Sequence, residues 1–441
     1  MLCGLSDIEI AGNQSSKNTI RYLEYYGNSL DVFTFLPWGY QNLREPDETF
    51  GSNVRFHRLP KVVASVMDYG RRIKNVIGHK KVVKNNNETL QPTQSVEYHE
   101  EYNIAGRLIY ILFQFFAYLP FELMRITLFI LSREKPDLLY GLNCQGALAA
   151  SVLGKIYGIP VVNRFHGTDV TEKNLQTLKD RMILLDQISG LKSGCNAVIM
   201  TNDGTKGDVI LRALGIDRSR IRFWMNGIDR DDLHVPAASE VENLRSDLGL
   251  QGKRVLLMIS RLAVWKRIDR GIYCLSEMRK LPGYDDLHLV IVGQGPEREN
   301  LENYAKSLGV SSCVHFIGKV PHHSISAYYL LADVFLSLYD RSNLGNPLLE
   351  ALFFGCPMVT ISDGSADHLL EDGENAFLVS QSEIETELPR KVKMILDDTT
   401  LQAGFRRKAT ATFQDELVDW KERMLKEHEF IQEVIASSKG I

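Results

Sequence analysis

Cysteine is scarce and scattered. The six residues, Cys3, Cys144, Cys195, Cys274, Cys313 and Cys356, include no C-x-x-C pair. That argues against a zinc site or a disulfide framework and fits a reducing compartment. The opening Met1-Leu-Cys-Gly-Leu-Ser-Asp has no basic stretch ahead of an apolar core, so no signal peptide is expected and the protein is expected to be cytoplasmic. An excess of one charge is also missing. The net charge is -4 and the pI about 6.3, with no global basic bias toward nucleic acid. Nor is there a clean membrane span. The most apolar stretch, LIYILFQFFAYLPFELMRITLFIL (108–131), is interrupted by Gln114, Pro120, Glu122 and Arg125. A spanning helix needs about 20 mostly apolar residues.

What is present is ordinary globular material, 44% hydrophobic and 24% charged. Short apolar runs alternate with amphipathic stretches, the pattern of parallel α/β architecture. LDVFTFLP (30–37), DLLYG (137–141), PVVNRFHG (160–167) and AVIMT (197–201) read as buried strands in the first half. RVLLMIS (254–260), HLVIVG (288–293), VHFIG (314–318), VFLSL (334–338) and PMVTI (357–361) repeat the pattern in the second. Helices such as PERENLENYAKSLG (296–309) supply the crossovers that parallel strands require. Two such series predict two doubly wound domains, 1–235 and 236–410, joined through the polar stretch 236–254. Residues 85–102 read as a solvated loop within the first domain. The stretch 411–435 reads as one amphipathic helix, with Phe413, Leu417, Trp420, Met424, Phe430 and Ile431 on its apolar side. The region 411–441 is expected to pack back on the first domain.

Doubly wound folds bind ligands beyond the carboxyl ends of their strands, so the residues just after each strand carry the chemistry. After RVLLMIS come Arg261 and Lys266, two cations five residues apart. A guanidinium fork and an ammonium can converge on a diphosphate, or both can simply be solvated loop charges. After HLVIVG, Gly293 and Gly295 allow close backbone approach to a ligand, or only a tight turn into the next helix. After VFLSL, the loop holding Asn343, Gly345 and Asn346 opens a helix whose N–H groups suit a phosphate. Glu350, about one turn in, can accept hydrogen bonds from two vicinal ribose hydroxyls, or only complement the helix dipole. In the first half, PVVNRF ends in His166-Gly167-Thr168-Asp169, where the His either faces a ligand or caps a turn. Asn226-Gly227 reads as a structural turn.

Taken in order, these elements are more specific than any one of them. His166-Gly167-Thr168-Asp169, Asn226-Gly227-Ile228-Asp229, Ser260-Arg261-Leu262 with Lys266, Val292-Gly293-Gln294-Gly295-Pro296, Phe316-Ile-Gly318, Gly345 to Glu350-Ala351, and Glu371-Asp372-Gly373 follow one another along the chain. This series resembles the family-4 glycosyltransferases of the GT-B fold, strongly from about 160 to 380. The resemblance implies two Rossmann-like domains facing across a cleft, with the donor on the C-terminal one. It implies that Arg261 and Lys266 hold the donor diphosphate and that Glu350 binds the ribose. The backbone around Val320 would face the base, and His166 would contact the donor sugar. Asp169, Ser342, Asn343, Gly345, Asn346, Leu348, Gly293 and Gly295 complete the implied donor site. The loop around Gly12 (AGNQSS, 11–16) matches the family's N-terminal Gly-rich loop loosely. The family's first Glu of E-x7-E is Ser342 here; Ser342 or Asn343 could substitute with shorter hydrogen-bonding groups, or Asp340 could reach in, and the Glu before the E-D-G turn is His368.

The implied reaction is transfer of a sugar from a nucleoside-diphosphate donor, such as a UDP- or GDP-sugar, with retention. No metal or cofactor is expected, in keeping with the lack of a convincing Asp-x-Asp strand-end pair. The acceptor is a saccharide or a lipid-linked glycan. The basic segment 69–84, with Arg71, Arg72, Lys74, Lys80, Lys81 and Lys84, and the apolar 108–131 suggest contact with a cytoplasmic leaflet, or else a buried helix pair and a solvated loop. The competing classes are a GT-B epimerase or phosphorylase, and a non-catalytic nucleotide-sugar-binding subunit.

Overall fold

The computed structural model describes residues 2–3, 14–33, 50–57, 108, 111–112, 115–116, 119–133, 135–228, 230 and 233–439. Gly12, Asp229, the basic segment 69–84 and the polar segment 85–102 lie outside them. The chain forms two compact units. The first holds the described residues up to Gly227 together with those from Trp420 onward, and the second holds Ile228–Asp419.

In the first unit, β1 (Leu2–Cys3), β2 (Leu30–Phe33), β3 (Val54–His57), β4 (Leu139–Leu142), β5 (Val161–Phe165), β6 (Ala197–Thr201) and β7 (Ile221–Trp224) form one sheet in the order β3-β2-β1-β4-β5-β6-β7. All its neighbouring strands run parallel. β4, β5 and β6 are buried along their whole length, as expected where helices cover both faces of a parallel sheet. One face packs Ile20, Leu23 and Tyr140 against Trp420, Met424 and Ile431. The other packs Leu139, Ala149 and Leu153 against Ile126 and Ile130 of the helix Leu119–Ser132.

The second unit repeats the plan. β8 (Arg254–Ile259), β9 (Leu287–Val292), β10 (Val314–Gly318), β11 (Val334–Ser337), β12 (Met358–Ile361) and β13 (Phe377–Val379) lie in the order β10-β9-β8-β11-β12-β13. Each neighbouring pair is again parallel. The order reverses between β8 and β11. That switch point is where doubly wound sheets open a crevice for ligands. The expected α/β class with two Rossmann-like units is therefore present. Edge strands β3, β7 and β13 were not anticipated.

The apolar 108–131 segment contains the helix Leu119–Ser132, and no described helix is long and apolar enough to cross a membrane. Glu122 is buried and paired with Arg125 at 2.6 Å, and Arg125 also donates to the His57 carbonyl at 2.8 Å. The interrupting charges thus form an internal pair.

The single helix expected over 411–435 is two. Thr399–Glu416 ends at Leu417, which is extended, and Trp420–Lys439 starts afresh. Between them the Ile228 N–H donates to the Val418 carbonyl at 3.2 Å. The break lets Phe413 pack against Phe353 in the second unit, while Trp420 and Met424 enter the core of the first.

A buried ionic cluster fixes that terminal helix. Arg164 on β5 and Glu427 are both fully buried and 3.0 Å apart. Arg423 meets the same carboxylate at 2.9 Å, and the Tyr140 hydroxyl donates to it. Arg164 also donates to Thr19 at 2.8 Å and to Asn226 at 3.3 Å, and Asn226 donates to Ser15 at 3.0 Å. Asn226 is thus an anchor for the helix Gln14–Tyr25 as well as a turn residue. Removing one partner strands an uncompensated charge, which costs about 3–5 kcal/mol. Glu427→Ala is expected to destabilise the first unit by about that amount in urea unfolding monitored at its own tryptophans. A loss below about 1 kcal/mol would contradict the assignment.

Candidate donor site

The loops that leave β8, β9 and β11 are bonded to one another. Gly293, at φ 137°, lies so close to the β8 loop that a Cβ would stand 1.9 Å from the Ser260 carbonyl oxygen. A Cβ on Gly295 would stand 2.2 Å from the Leu262 carbonyl oxygen. This approach allows the Leu262 N–H to donate to Gln294 O at 3.1 Å and the Glu297 N–H to Leu262 O at 3.1 Å. The two glycines are thus required by packing of loop on loop. Arg261 sits exposed in the middle of the segment they hold.

The β11 loop is attached from the other side. Tyr339 OH donates to Ile259 O at 3.1 Å, and the Asp340 N–H to Trp265 O at 3.0 Å. Lys266 rests over the rings of Trp265 and Tyr339, its Nζ 4.0 Å and 3.5 Å from their centroids. These cation–π contacts preorganise the ammonium. The next residue, Arg267, adopts a left-handed conformation at φ 49°, uncommon for a residue with a side chain. Its fully buried guanidinium pairs with Asp269 at 2.8 Å and Asp340 at 3.1 Å. Arg270 joins Asp340 at 2.8 Å. Burial and the neighbouring Arg267 bring the Arg270 pKa down to about 10, so it stays charged at neutral pH. Asp340 also accepts from Gln381 at 2.9 Å. All three contacts fall on Oδ1, so that oxygen is committed to this network.

The expected phosphate and sugar residues separate into two kinds. Asn343 is fully buried. Its amide donates to Tyr339 O at 3.1 Å and Asp363 at 2.8 Å, and its oxygen accepts from Tyr339 N at 3.0 Å and Ser337 Oγ at 3.3 Å. That exhausts the side chain, so Asn343 shapes the loop and offers nothing to a ligand. Leu348 is a core side chain at 1% exposure, and its N–H donates to Gly345 O at 3.0 Å. Pro347 carries no N–H. At the start of the helix Asn346–Phe353, the N–H groups of Gly345 and Asn346 are what can face an anion. Ser342 stands just before them in the left-handed region, at φ 60°.

Glu350 is 5% exposed, and both its oxygens are engaged. Tyr329 OH donates to Oε2 at 2.9 Å, and His322 Nε2 lies 3.1 Å from Oε1. His322 is two residues beyond Val320, so the segment leaving β10 reaches the helix that carries Glu350. Burial and the Glu350 carboxylate push the Tyr329 hydroxyl well above its ordinary pKa, keeping it a donor. Neither His322 nor Tyr329 was foreseen from the sequence, and the doubled His after Val320-Pro321 was the available signal.

In the first unit, His166 follows β5, its Nε2 3.3 Å from Ser16 Oγ. Burial, then Arg164 and Arg423, lower its pKa to about 3, so the imidazole is neutral at physiological pH. Its Nδ1 has no hydrogen-bond partner among the described residues. Asp169 is exposed at the end of the same turn. Gly167, at φ 111°, packs against Asp203, where a Cβ would stand 2.1 Å from a carboxylate oxygen. Cys144, Cys195, Cys274, Cys313 and Cys356 are free thiols.

Comparison with known proteins agrees with this architecture. Residues 82–232 match the family model Glycosyltransferase Family 4, and residues 240–412 match Glycosyl transferases group 1. HepE of Anabaena, in a crystal structure with UDP and glucose, superposes with a TM-score of 0.68 at 17% identity over 99% of both chains. Two doubly wound units with this strand order, and these matches, define a GT-B glycosyltransferase fold. Within that class the chain belongs to the family-4 glycosyltransferases. It is 22% identical to the sulfoquinovosyl transferase of Arabidopsis thaliana over 66% of this chain and 55% of that one. It is 31% identical to the GDP-mannose-dependent alpha-(1-6)-phosphatidylinositol monomannoside mannosyltransferase of Mycolicibacterium smegmatis, over 36% of this chain and 43% of that one. The chain therefore spans about half the length of these two relatives.

The packing of Gly293 generates a direct expectation. Gly293→Ala combines a strained φ with a clash against Ser260, costing at least about 1–3 kcal/mol of second-unit stability. It should also weaken nucleotide binding, because the Arg261 loop must move to admit the methyl. A variant with unchanged melting temperature and unchanged UDP or GDP affinity would contradict this account.

Proposed function

We propose that this chain transfers a sugar from a nucleoside-diphosphate sugar to a saccharide or lipid-linked acceptor, with retention at the anomeric carbon. The observation that carries the reading is the interlocked β8, β9 and β11 loops, which fix Arg261 and Lys266 at the carboxyl end of the second sheet. The second unit is assigned the donor and the first the acceptor. UDP and GDP are the nucleotides to try first, in view of the UDP held by HepE and the GDP-mannose dependence named for the mycobacterial relative.

In this reading Arg261 and Lys266 neutralise the diphosphate as charge develops on it, assisted by the Gly345 and Asn346 N–H groups. Such preorganised donors act without reorganisation at the moment of bond cleavage. The sugar–oxygen bond to the diphosphate breaks, and the acceptor hydroxyl attacks the same face. Its proton passes to the departing phosphate oxygen. Glu350 takes the ribose hydroxyls, and the backbone at Val320 faces the base. Neutral His166 serves as a hydrogen-bonding contact to the donor sugar. The resemblance favours a reaction that needs no metal. Arg261→Ala and Lys266→Ala are each expected to lower kcat/KM by about 2–4 kcal/mol of transition-state stabilisation, in assays run with EDTA. Near wild-type turnover in both variants would overturn the diphosphate assignment. Complete, Mg²⁺-rescuable loss of wild-type activity in EDTA would overturn metal independence.

We further propose that the first unit contacts an anionic membrane surface from the cytoplasmic side. On the helix Leu119–Ser132, Met124, Leu128 and Leu131 share one face at 52%, 60% and 69% exposure. An apolar stripe of this kind suits a protein that lies on a leaflet, and the sequence adds the basic residues of 69–84. Liposomes rich in anionic lipid should carry the protein upward in a density gradient, and Leu128→Asp should abolish flotation. A wild-type protein that stays at the bottom at both low and high salt is not membrane-bound.

A further inference from the structure

We infer that His322 is a positioning residue for nucleotide binding, coupling the base-facing segment after β10 to the carboxylate of Glu350. The inference rests on the assignment of Glu350 to the ribose. The geometry begins with the carboxylate itself, which is buried at the start of a helix and can only accept hydrogen bonds. One donor is Tyr329 OH, at 2.9 Å from Oε2. The other is His322, whose Nε2 must carry the proton to bond Oε1 at 3.1 Å.

Both donors come from one continuous piece of chain, the turn His322–Ser324 and the helix Ile325–Leu331 that follows it. The single Tyr329 hydroxyl proton is shared between Glu350 Oε2 and Pro347 O at 3.0 Å, and the ring stacks on Phe354, with centroids 5.5 Å apart. That end of the clamp is anchored in the core. The His322 end is at the rim, with its side chain 36% exposed beside a carboxylate at 7%. Two donors on the two oxygens fix the plane of the carboxylate. Each oxygen keeps a further lone pair, which is what two vicinal hydroxyls need. With Val320 two residues upstream, a base seated on that backbone sets His322, and His322 sets the angle at which Glu350 meets the ribose. The neighbouring His323 is exposed and serves as an internal control.

The test compares binding of UDP and GDP with their 2′,3′-dideoxy forms, by calorimetry on the full chain. His322→Ala should weaken the ribonucleotide that binds by about tenfold, the worth of one hydrogen bond to a charged group. Its dideoxy form should bind the variant and the wild type alike. His322→Gln should recover most of the loss, and His323→Ala should lose nothing. In turnover, His322→Ala should raise the donor KM and leave kcat unchanged. Equal weakening of both nucleotide forms, or no weakening of either, overturns the inference. Glu350→Gln separates the two levels. If it leaves the ribose-to-dideoxy ratio at the wild-type value, the ribose assignment fails and the inference with it. If Glu350→Gln collapses the ratio and His322→Ala does not, the inference alone fails.

Discussion

The second unit is organised around the contact between Gly293 and the Ser260 carbonyl. Two loops from adjacent strands can approach this closely only where one has no side chain. Once they do, the Leu262–Gln294 and Glu297–Leu262 hydrogen bonds follow, and Arg261 is carried on a closed piece of backbone. A loop cation ordinarily spends much of its interaction energy on becoming ordered. Here the ordering is supplied by main-chain bonds that exist without ligand. Lys266 is handled by other means, on the faces of Trp265 and Tyr339.

Buried charge plays the same part in both units, at places where the chain must hold an unfavourable arrangement. In the second, Arg267 keeps a left-handed backbone because its guanidinium is tied to Asp269 and Asp340. In the first, Arg164 interrupts a fully buried strand and is met by Glu427, Thr19 and Asn226, while its Nε has no hydrogen-bond partner among the described residues. Such clusters contribute little net stability over an apolar core. Arrangements that part these segments are disfavoured instead, because each would leave a buried charge uncompensated.

Much of this was legible in the sequence. β6 begins and ends where its apolar run does, since a strand covered on both faces has few polar positions to blur its limits. β3 was not legible, because Val54–His57 is a half-covered edge strand with mixed polarity. The break before Trp420 carries no Gly or Pro; only the partnership with Ile228 reveals it. Arg261 and Lys266 stood out as charges directly after a strand. Asn343 looked like a ligand residue by its place in the loop, and only its four hydrogen bonds show that it is spent internally. His322 was hidden because its partner lies 28 residues away on a different element.

The return of Trp420–Lys439 to the first unit bears on how the chain is made. Synthesis completes the second unit first, with every described strand of its sheet on the stretch of chain between Ile228 and Asp419. The first unit emerges earlier yet lacks Glu427, Trp420 and Met424, so Arg164 waits in an incomplete core without its carboxylate. The usual vectorial order, N-terminal domain first, is thereby inverted for the final step. The domain begun first is the one finished last, and until those residues arrive the apolar sheet face they cover stays open.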